Sequence, residues 1–401
     1  MTFKTIRDLD IKGKTVLLRG DLNVPAENGK VTDTTRIDRL KPTIDFLVQG
    51  GAKILVMSHF GRPKDGPDPE FSMKFMLPVL QSSWGHDIAF ADDCIGASAK
   101  TLSDNLKPGQ IGLLENVRFH KGEEKNDPAF VRELARLGDI YVNDAFSSAH
   151  RAHASTEGLA HVMPTAAGFL MEAELNALGA ALGNPKRPLA AIVGGSKIST
   201  KLDLLNNLVA KADFLILGGG MATTFMYAKG FEVGKSLCER DMKDQALAIM
   251  EKAKANNCEI VLPVDRVVVK EFGKGVPFDC VSAEKIPADM EGVDIGPQSI
   301  ANAIAKLETC KTVIWNGPMG VFEVSPFDAG TNGIAAGVAA LTKSGKITSV
   351  AGGGDTVSAL ENAGAIDAMT YVSTAGGAFL EWMEGKTLPG VAALNASQKA
   401  A

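Results

Sequence analysis

Short apolar runs recur along this chain, separated by stretches with helical periodicity, and several of the runs show no polar alternation. They include Thr15 to Arg19 (TVLLR), Lys53 to Met57 (KILVM), Ile111 to Leu114 (IGLL) and Ile140 to Asn143 (IYVN). Further on come Leu189 to Val193 (LAAIV), Phe214 to Leu217 (FLIL), Glu259 to Leu262 (EIVL), Thr312 to Trp315 (TVIW) and Thr348 to Ala351 (TSVA). A strand apolar on both faces must be covered on both faces, which is the condition of a parallel sheet wrapped by helices. In such sheets ligands collect at the carboxyl ends of the strands.

At 401 residues the chain exceeds the size at which one core usually keeps growing, so two domains are expected. Ala166 to Leu182 (AAGFLMEAELNALGAAL) reads as a long helix followed by the turn-rich GNPKRP, with one α/β domain before it and another after. The composition, 45% hydrophobic and 22% charged, is that of a soluble globular protein. A net charge of -5 disfavours a nucleic-acid partner bound through a general basic surface. The five cysteines show no CxxC spacing and read as buried thiols of a reducing compartment. The opening MTFKTIRDLD lacks the apolar core of a signal peptide, and no run approaches the roughly 20 apolar residues of a membrane span. The expectation is a cytoplasmic protein with no membrane partner.

In the first half, cations recur where strands end. Arg19, Asp21 and Asn23 lie in RGDLNVP, and Arg36 follows in TTRID. His59 and Arg62 lie in SHFGRP, Arg118 in ENVRFHKGEE and Arg151 in AFSSAHRAH. Singly, each loop arginine reads as a solvated surface charge. Together, at the shared edge of a parallel sheet, they repel one another unless an anion sits among them. Guanidinium groups match phosphate and carboxylate oxygens, so the expected guest is a small polyanion. Asp21 and Asn23 add partners for sugar-like hydroxyls, and Asp21 could orient an arginine.

The second half lacks a G-x-G-x-x-G fingerprint. Its run Gly230 to Ser236 (GFEVGKS) falls one residue short of a Walker A loop and follows a helical stretch where a strand is needed. Glycine clusters do precede helical patterns at VGGSKISTK, LGGGMATTF, AGGGDTVSAL and STAGGAFLE. They are either tight strand-to-helix turns or places where backbone amides approach phosphates. Lys197 and Lys201, four apart, are expected on one face of the first helical turns after Gly194 and Gly195. Asp355 is the one carboxylate within GGGDT, suited to magnesium or its waters. Glu323 ends IWNGPMGVFE and could accept from ribose hydroxyls.

Taken in order, RGDLNVP, TTRID, SHFGRP, ENVRFHKGEE, NDAFSSAHRAHAS, AAGFLMEAEL, GGSKISTK, LGGGMA, IWNGPMGVFE, AGGGDT and STAGGAFLE resemble the phosphoglycerate kinase family from about Arg19 to about Gly390. The resemblance implies two doubly wound, Rossmann-like α/β domains joined by a long helix, with the C-terminal tail returning to the N-terminal domain. It implies a phosphoglycerate-binding domain over 1–170 plus about 388–401, an interdomain helix over 171–185 and a nucleotide-binding domain over 186–387. By carry-over, Asp21, Asn23, Arg36, His59, Arg62, Arg118 and Arg151 hold 3-phosphoglycerate or 1,3-bisphosphoglycerate. Lys197, Lys201, Asn316, Glu323, Gly353, Gly354, Asp355 and Thr356 hold ADP or ATP, with Asp355 on Mg2+. Arg36, Lys197, Gly376 and Gly377 are expected at the transferred phosphoryl group.

The activity implied is reversible in-line phosphoryl transfer in glycolysis by a hinge-bending, cytoplasmic monomer whose partners are small molecules only. One departure stands out: where the family usually carries a third glycine after Ser-Thr, this chain has Ala375. Two other classes stay open at this level. A dinucleotide-dependent dehydrogenase is disfavoured by the missing fingerprint, and a non-catalytic nucleotide-binding relative by the presence of Arg36, Lys197, Lys201 and Asp355.

Overall fold

The computed structural model describes residues 3–64 and 66–396. The described residues divide into two compact units, 3–176 with 387–396 and Ala177–Lys386; the last part of the tail expected over 388–401 lies outside the described residues. Each is built on a six-stranded sheet in which every pairing is parallel. In the first the spatial order is Ile88–Ala91, Ile111–Leu114, Lys53–Met57, Thr15–Gly20, Ile140–Asp144, Thr165–Ala167. In the second it is Glu259–Val261, Phe214–Leu217, Leu189–Val193, Thr312–Asn316, Thr348–Gly352, Tyr371–Ser373.

The unalternating runs explain the layers. Val16 and Leu18 enter the core on one face of the first sheet and Leu17 that on the other, all fully buried. Burying a side chain of that size contributes about 1.5–3 kcal/mol, so each face holds a helical layer in place. In the second unit Val313 and Trp315 of one strand join Ile192 and Ala351 of its neighbours in a single core. Helix starts follow local chemistry. Asp127 caps Pro128–Ala135 by accepting from the Ala129 and Phe130 amides at 2.7 and 3.2 Å, with Pro128 at the first position, where no amide is missed.

Three features depart from the sequence reading. The helix expected from Ala166 begins at Phe169, because Thr165–Ala167 pairs with Ile140–Asp144 as an edge strand. Its last turn, Gly179–Gly183, is a π-helix. An antiparallel sheet of Asp279–Ser282, Asp265–Val269 and Glu291–Ile295 stands beside the second parallel sheet. The short alternating pattern of its strands carries less signal than the continuous runs. Residues 387–396 belong to the first unit, where Pro389–Ala396 is helical and the Gly390 amide donates to the Ala149 carbonyl at 2.9 Å. No helix among the described residues is long and apolar enough to cross a membrane.

The turn into the Phe169 helix is tight. A Cβ at Gly168 would lie 2.2 Å from Asp144 Cγ, and Asp144 Oδ1 accepts from the Met171 amide at 2.8 Å. Gly168→Ala is therefore expected to lower stability by about 1–3 kcal/mol, the usual penalty of overpacking. Urea denaturation read by circular dichroism checks this, and an unchanged midpoint would contradict the packing described.

Candidate active site

A doubly wound sheet opens a crevice where strand order reverses. In the first unit the reversal lies between Thr15–Gly20 and Ile140–Asp144, whose following loops carry RGDLN and AFSSAHR. Arg19 occupies the end of the apolar run and is 1% exposed. Its Nε donates to Ser155 Oγ at 2.9 Å, Nη1 to the Gly20 carbonyl and to Ser58 Oγ at 3.2 Å, and Nη2 to His59 Nδ1 at 2.8 Å. Ser155 passes the contact on, its hydroxyl and amide donating to the two oxygens of buried Glu123 at 2.6 and 2.9 Å. The guanidinium is thus spent on the fold. It also fixes the His59 tautomer: Nδ1 must accept, which leaves the proton on Nε2.

Around this hub lie the remaining cations. Arg36 pairs with Asp21 at 3.0 Å and donates to the Asn23 carbonyl at 2.9 Å. Asp21 is held in turn by the Ser147 hydroxyl at 2.6 Å, and Asn23 Oδ1 accepts from the Gly61 amide at 2.9 Å. Arg118 donates to the Gly61 carbonyl at 2.8 Å, and its Nε faces Glu124 at 3.4 Å. Burial first, then the nearby Arg151 charge, brings the Arg118 guanidinium down to about 10. Burial and the charges of Arg19, Arg118 and Arg151 hold His59 well below the usual imidazole range. Burial and then Arg118 bring His153 down to about 4. Asp21, Asn23, Arg36, His59, Arg118 and Arg151 therefore share one basic edge, whereas Arg62 is exposed in the turn beyond Gly61.

The second unit repeats the logic with a lysine. Strand order reverses between Leu189–Val193 and Thr312–Asn316. Lys201 bridges that reversal, donating to the Gly194 carbonyl at 3.0 Å and to Asn316 Oδ1 at 2.7 Å. The loops approach too closely for any side chain, since a Cβ at Gly194 would lie 1.7 Å from the Pro318 carbonyl oxygen. Burial pushes the Lys201 ammonium down to about 8, with the Asp355 carboxylate pulling the other way. A cavity of about 240 Å³ is lined by Lys201, Asn316, Gly317, Gly353, Gly354, Asp355, Thr356, Gly376 and Gly377. Helices Gly354–Asn362 and Gly376–Met383 both begin there. Their first-turn amides have no acceptors within the helix and face an anion well.

The expected helical face of Lys197 and Lys201 is not formed. A 3₁₀ turn covers Ser199–Lys201, the helix begins at Leu202, and Lys197 lies exposed before both. Gly195 takes φ +134° and Lys201 φ -134°, neither helical, so the four-residue spacing carries no helical meaning there. Neither Lys197 nor Glu323 lines the cavity, and Glu323 is exposed. Asn316 and Thr356 line it, but their hydrogen bonds serve the walls. Asn316 Nδ2 donates to the Gly352 carbonyl at 2.8 Å, and Thr356 Oγ1 accepts from the Gly317 amide at 2.7 Å. Ala375 sits at φ -88°, open to any residue, while Gly376 at φ +40° takes the conformation that favours glycine.

Arg19, Ser58, Glu123 and Ser155 escaped the sequence reading as a supporting network. The available signal was an arginine continuing an apolar run, which marks a cation taken into the interior. Asp355 meets the requirements of a magnesium partner. It is an exposed carboxylate in the first turn of a helix beside a phosphate-sized cavity, and magnesium commonly takes one or two carboxylates plus substrate phosphates.

The neutral histidines are directly testable. The His59 and His153 rings are expected to stay uncharged from about pH 8 to about pH 6, with His59 protonated on Nε2. Nitrogen-15 NMR of the imidazoles reads both, and a midpoint near the ordinary value for either would overturn the account.

Comparison with known proteins follows the same lines. The sequence profile of the family described as "Phosphoglycerate kinase" matches residues 6–386. A protein of Rhodospirillum centenum named phosphoglycerate kinase is 61% identical over 396 residues, covering 99% of this chain and 100% of that one. Its counterpart in Rhizobium leguminosarum bv. trifolii is 58% identical over 398 residues, covering 99% and 100%. The solved structure of phosphoglycerate kinase from Coxiella burnetii superposes with a TM-score of 0.93 at 41% identity, covering 100% of both chains. That from Pyrococcus horikoshii OT3 superposes with 0.79 at 29% identity, covering 99% and 100%.

Proposed function

The chain belongs to the phosphoglycerate kinase family of glycolytic phosphotransferases, and from that premise we propose how its own residues carry the reaction. The first unit binds 3-phosphoglycerate or 1,3-bisphosphoglycerate at the basic edge, and the second binds ADP or ATP at the glycine-lined cavity. The observation that carries this reading is the pair of strand-order reversals, one ringed by arginines and one by glycines with Lys201.

On the first unit, Arg36 is placed to follow a moving charge, being part-exposed and steered by Asp21 and the Asn23 carbonyl. Arg118 and Arg151 hold substrate oxygens. Neutral His59 offers its Nε2 proton as a donor, and Arg62 closes over the substrate from its exposed turn. Asn23 presents its amide to a hydroxyl while its Oδ1 stays on Gly61.

On the second unit, Lys201 and the amides around Gly353 and Gly354 hold nucleotide phosphates, with Thr356 and Asn316 keeping the cavity in shape. Glu323 accepts from ribose hydroxyls. Asp355 binds the magnesium that accompanies the nucleotide, an ion that neutralises phosphate charge when present. Lys197, exposed and on the same loop as Lys201, meets the phosphoryl group in flight together with Arg36 and the Gly376 and Gly377 amides.

Neither unit contributes a nucleophile. The attacking atom is a phosphate oxygen of ADP, or the carboxylate of 3-phosphoglycerate in reverse, so catalysis is positioning plus charge neutralisation. Because the two substrates are carried by different units, transfer requires a state in which hinge motion brings the sites face to face and water is excluded. All five cysteines are free, in keeping with a reducing cytoplasm, and the enzyme acts there as a monomer.

Feeding 3-phosphoglycerate and MgATP and trapping acyl phosphate with hydroxylamine tests the activity; no trapped product from folded protein rejects it. Arg36→Ala is expected to lower kcat by about two orders of magnitude or more, the scale of losing a donor to the transition state, with MgATP affinity nearly unchanged. A large loss of nucleotide affinity would move Arg36 out of the role given to it.

Lys201 adds a pH signature. Free, its amine is about half protonated near pH 8; phosphates favour the ammonium and raise that value. MgATP binding near pH 8.5 is therefore expected to take up a fraction of a proton, seen by calorimetry in buffers of different ionisation heat. Lys201→Met should remove the uptake, and an uptake that persists would assign it elsewhere.

A further inference from the structure

Away from both crevices, one cluster in the first unit carries a mixed donor set. Asp93 and Cys94 follow the Ile88–Ala91 strand, and His120 follows the Val117–Phe119 turn beyond the Ile111–Leu114 strand. One carboxylate oxygen of Asp93, Cys94 Sγ and one ring nitrogen of His120 lie within 4.8 Å of one another, the one such group among the described residues. Asp93 Oδ1 already gathers donors, the Cys94 amide at 2.6 Å and His120 Nε2 at 2.6 Å. The His120 ring is steadied by stacking on Phe130, with centroids 5.3 Å apart and planes 27° from parallel. Cys94 is fully buried, and its thiol donates to no acceptor among the described residues.

We infer that Asp93, Cys94 and His120 form a binding site for a divalent cation of the zinc class. Thiol, imidazole and carboxylate together suit zinc or cobalt, while magnesium takes oxygen donors. Metal–ligand bonds of about 2.0–2.3 Å in a tetrahedron set donors roughly 3.3–3.6 Å apart. The Asp93–His120 contact must therefore open by less than about 1 Å and the thiol close by no more than about 1.5 Å. Water takes the fourth position.

Binding breaks the Cys94 S–H bond and releases that proton to solvent as the sulfur–metal bond forms. The proton that His120 Nε2 shares with Asp93 passes to Nδ1 through solvent, freeing the Nε2 lone pair; no electron is transferred. The His120 amide donates to the Val117 carbonyl at 3.3 Å, so the ion would be tied to the turn that carries Arg118.

Titrating the full chain with cobalt(II) chloride tests the site. A thiolate-to-cobalt band in the near ultraviolet and the visible bands of a four-coordinate ion should saturate at about one ion per chain. Zinc should displace the cobalt and excess magnesium should not. Cys94→Ser should abolish the thiolate band, His120→Gln should weaken binding by about tenfold or more, and Cys280→Ser, which alters an exposed thiol, should change nothing. If Cys94→Ser fails to fold, the half-buried His120→Gln decides. No thiolate band, or one that survives His120→Gln unchanged or disappears with Cys280→Ser, overturns the proposal.

Discussion

A parallel strand cannot reach its neighbour by a hairpin; the chain must cross over the sheet and start again from the same end. That constraint governs most of what is seen here. It forces helices onto both faces, which is why the strands are apolar throughout. It delivers the loops after the strands to one edge of the sheet. Where successive crossovers change direction, two such loops part and leave a crevice. Both units do this once, beside their first strand; the crevices gather Arg36, Arg118 and Arg151 in one and Lys201 with Asp355 in the other, while Arg62, Lys197 and Glu323 lie outside them.

What differs is how each crevice is kept open for an anion. In the first unit the innermost cation, Arg19, is consumed by protein acceptors, and Glu123 stands behind it through Ser155. The outer arginines thereby rest against a compensated interior and keep their own charge for a ligand. In the second unit the carboxylate that acts on the lysine, Asp355, is exposed instead of buried. Lys201 leans on the Gly194 carbonyl and the Asn316 amide oxygen, neutral groups that offset only part of its desolvation. The result is an amine close to losing its proton, which a phosphate would restore.

Sequence made the strands legible because short apolar runs bounded by turn residues favour strands over longer buried helices. It was weaker where pairing, not composition, decides. Thr165–Ala167 is a strand because Ile140–Asp144 has an open edge beside it, and its TAA would suit a helix equally. The arginines were found because a cation after a strand is conspicuous, yet sequence could not separate Arg19, buried in the fold, from Arg36, left partly free. The same limit applies at GGSKISTK. Spacing suggested paired lysines, whereas the backbone keeps Lys201 inside and leaves Lys197 in solvent.

The neutral imidazoles beside the arginines carry a physiological meaning. Vigorous sugar breakdown acidifies a cell, and a binding site that relied on protonated histidines would tighten its hold on phosphorylated intermediates as acid accumulated. With His59 and His153 kept uncharged by burial and then by their cationic neighbours, neither ring adds charge to this pocket as acid accumulates. On the function proposed above, these two rings would then leave the hold on a phosphorylated intermediate unaltered through such an acid load.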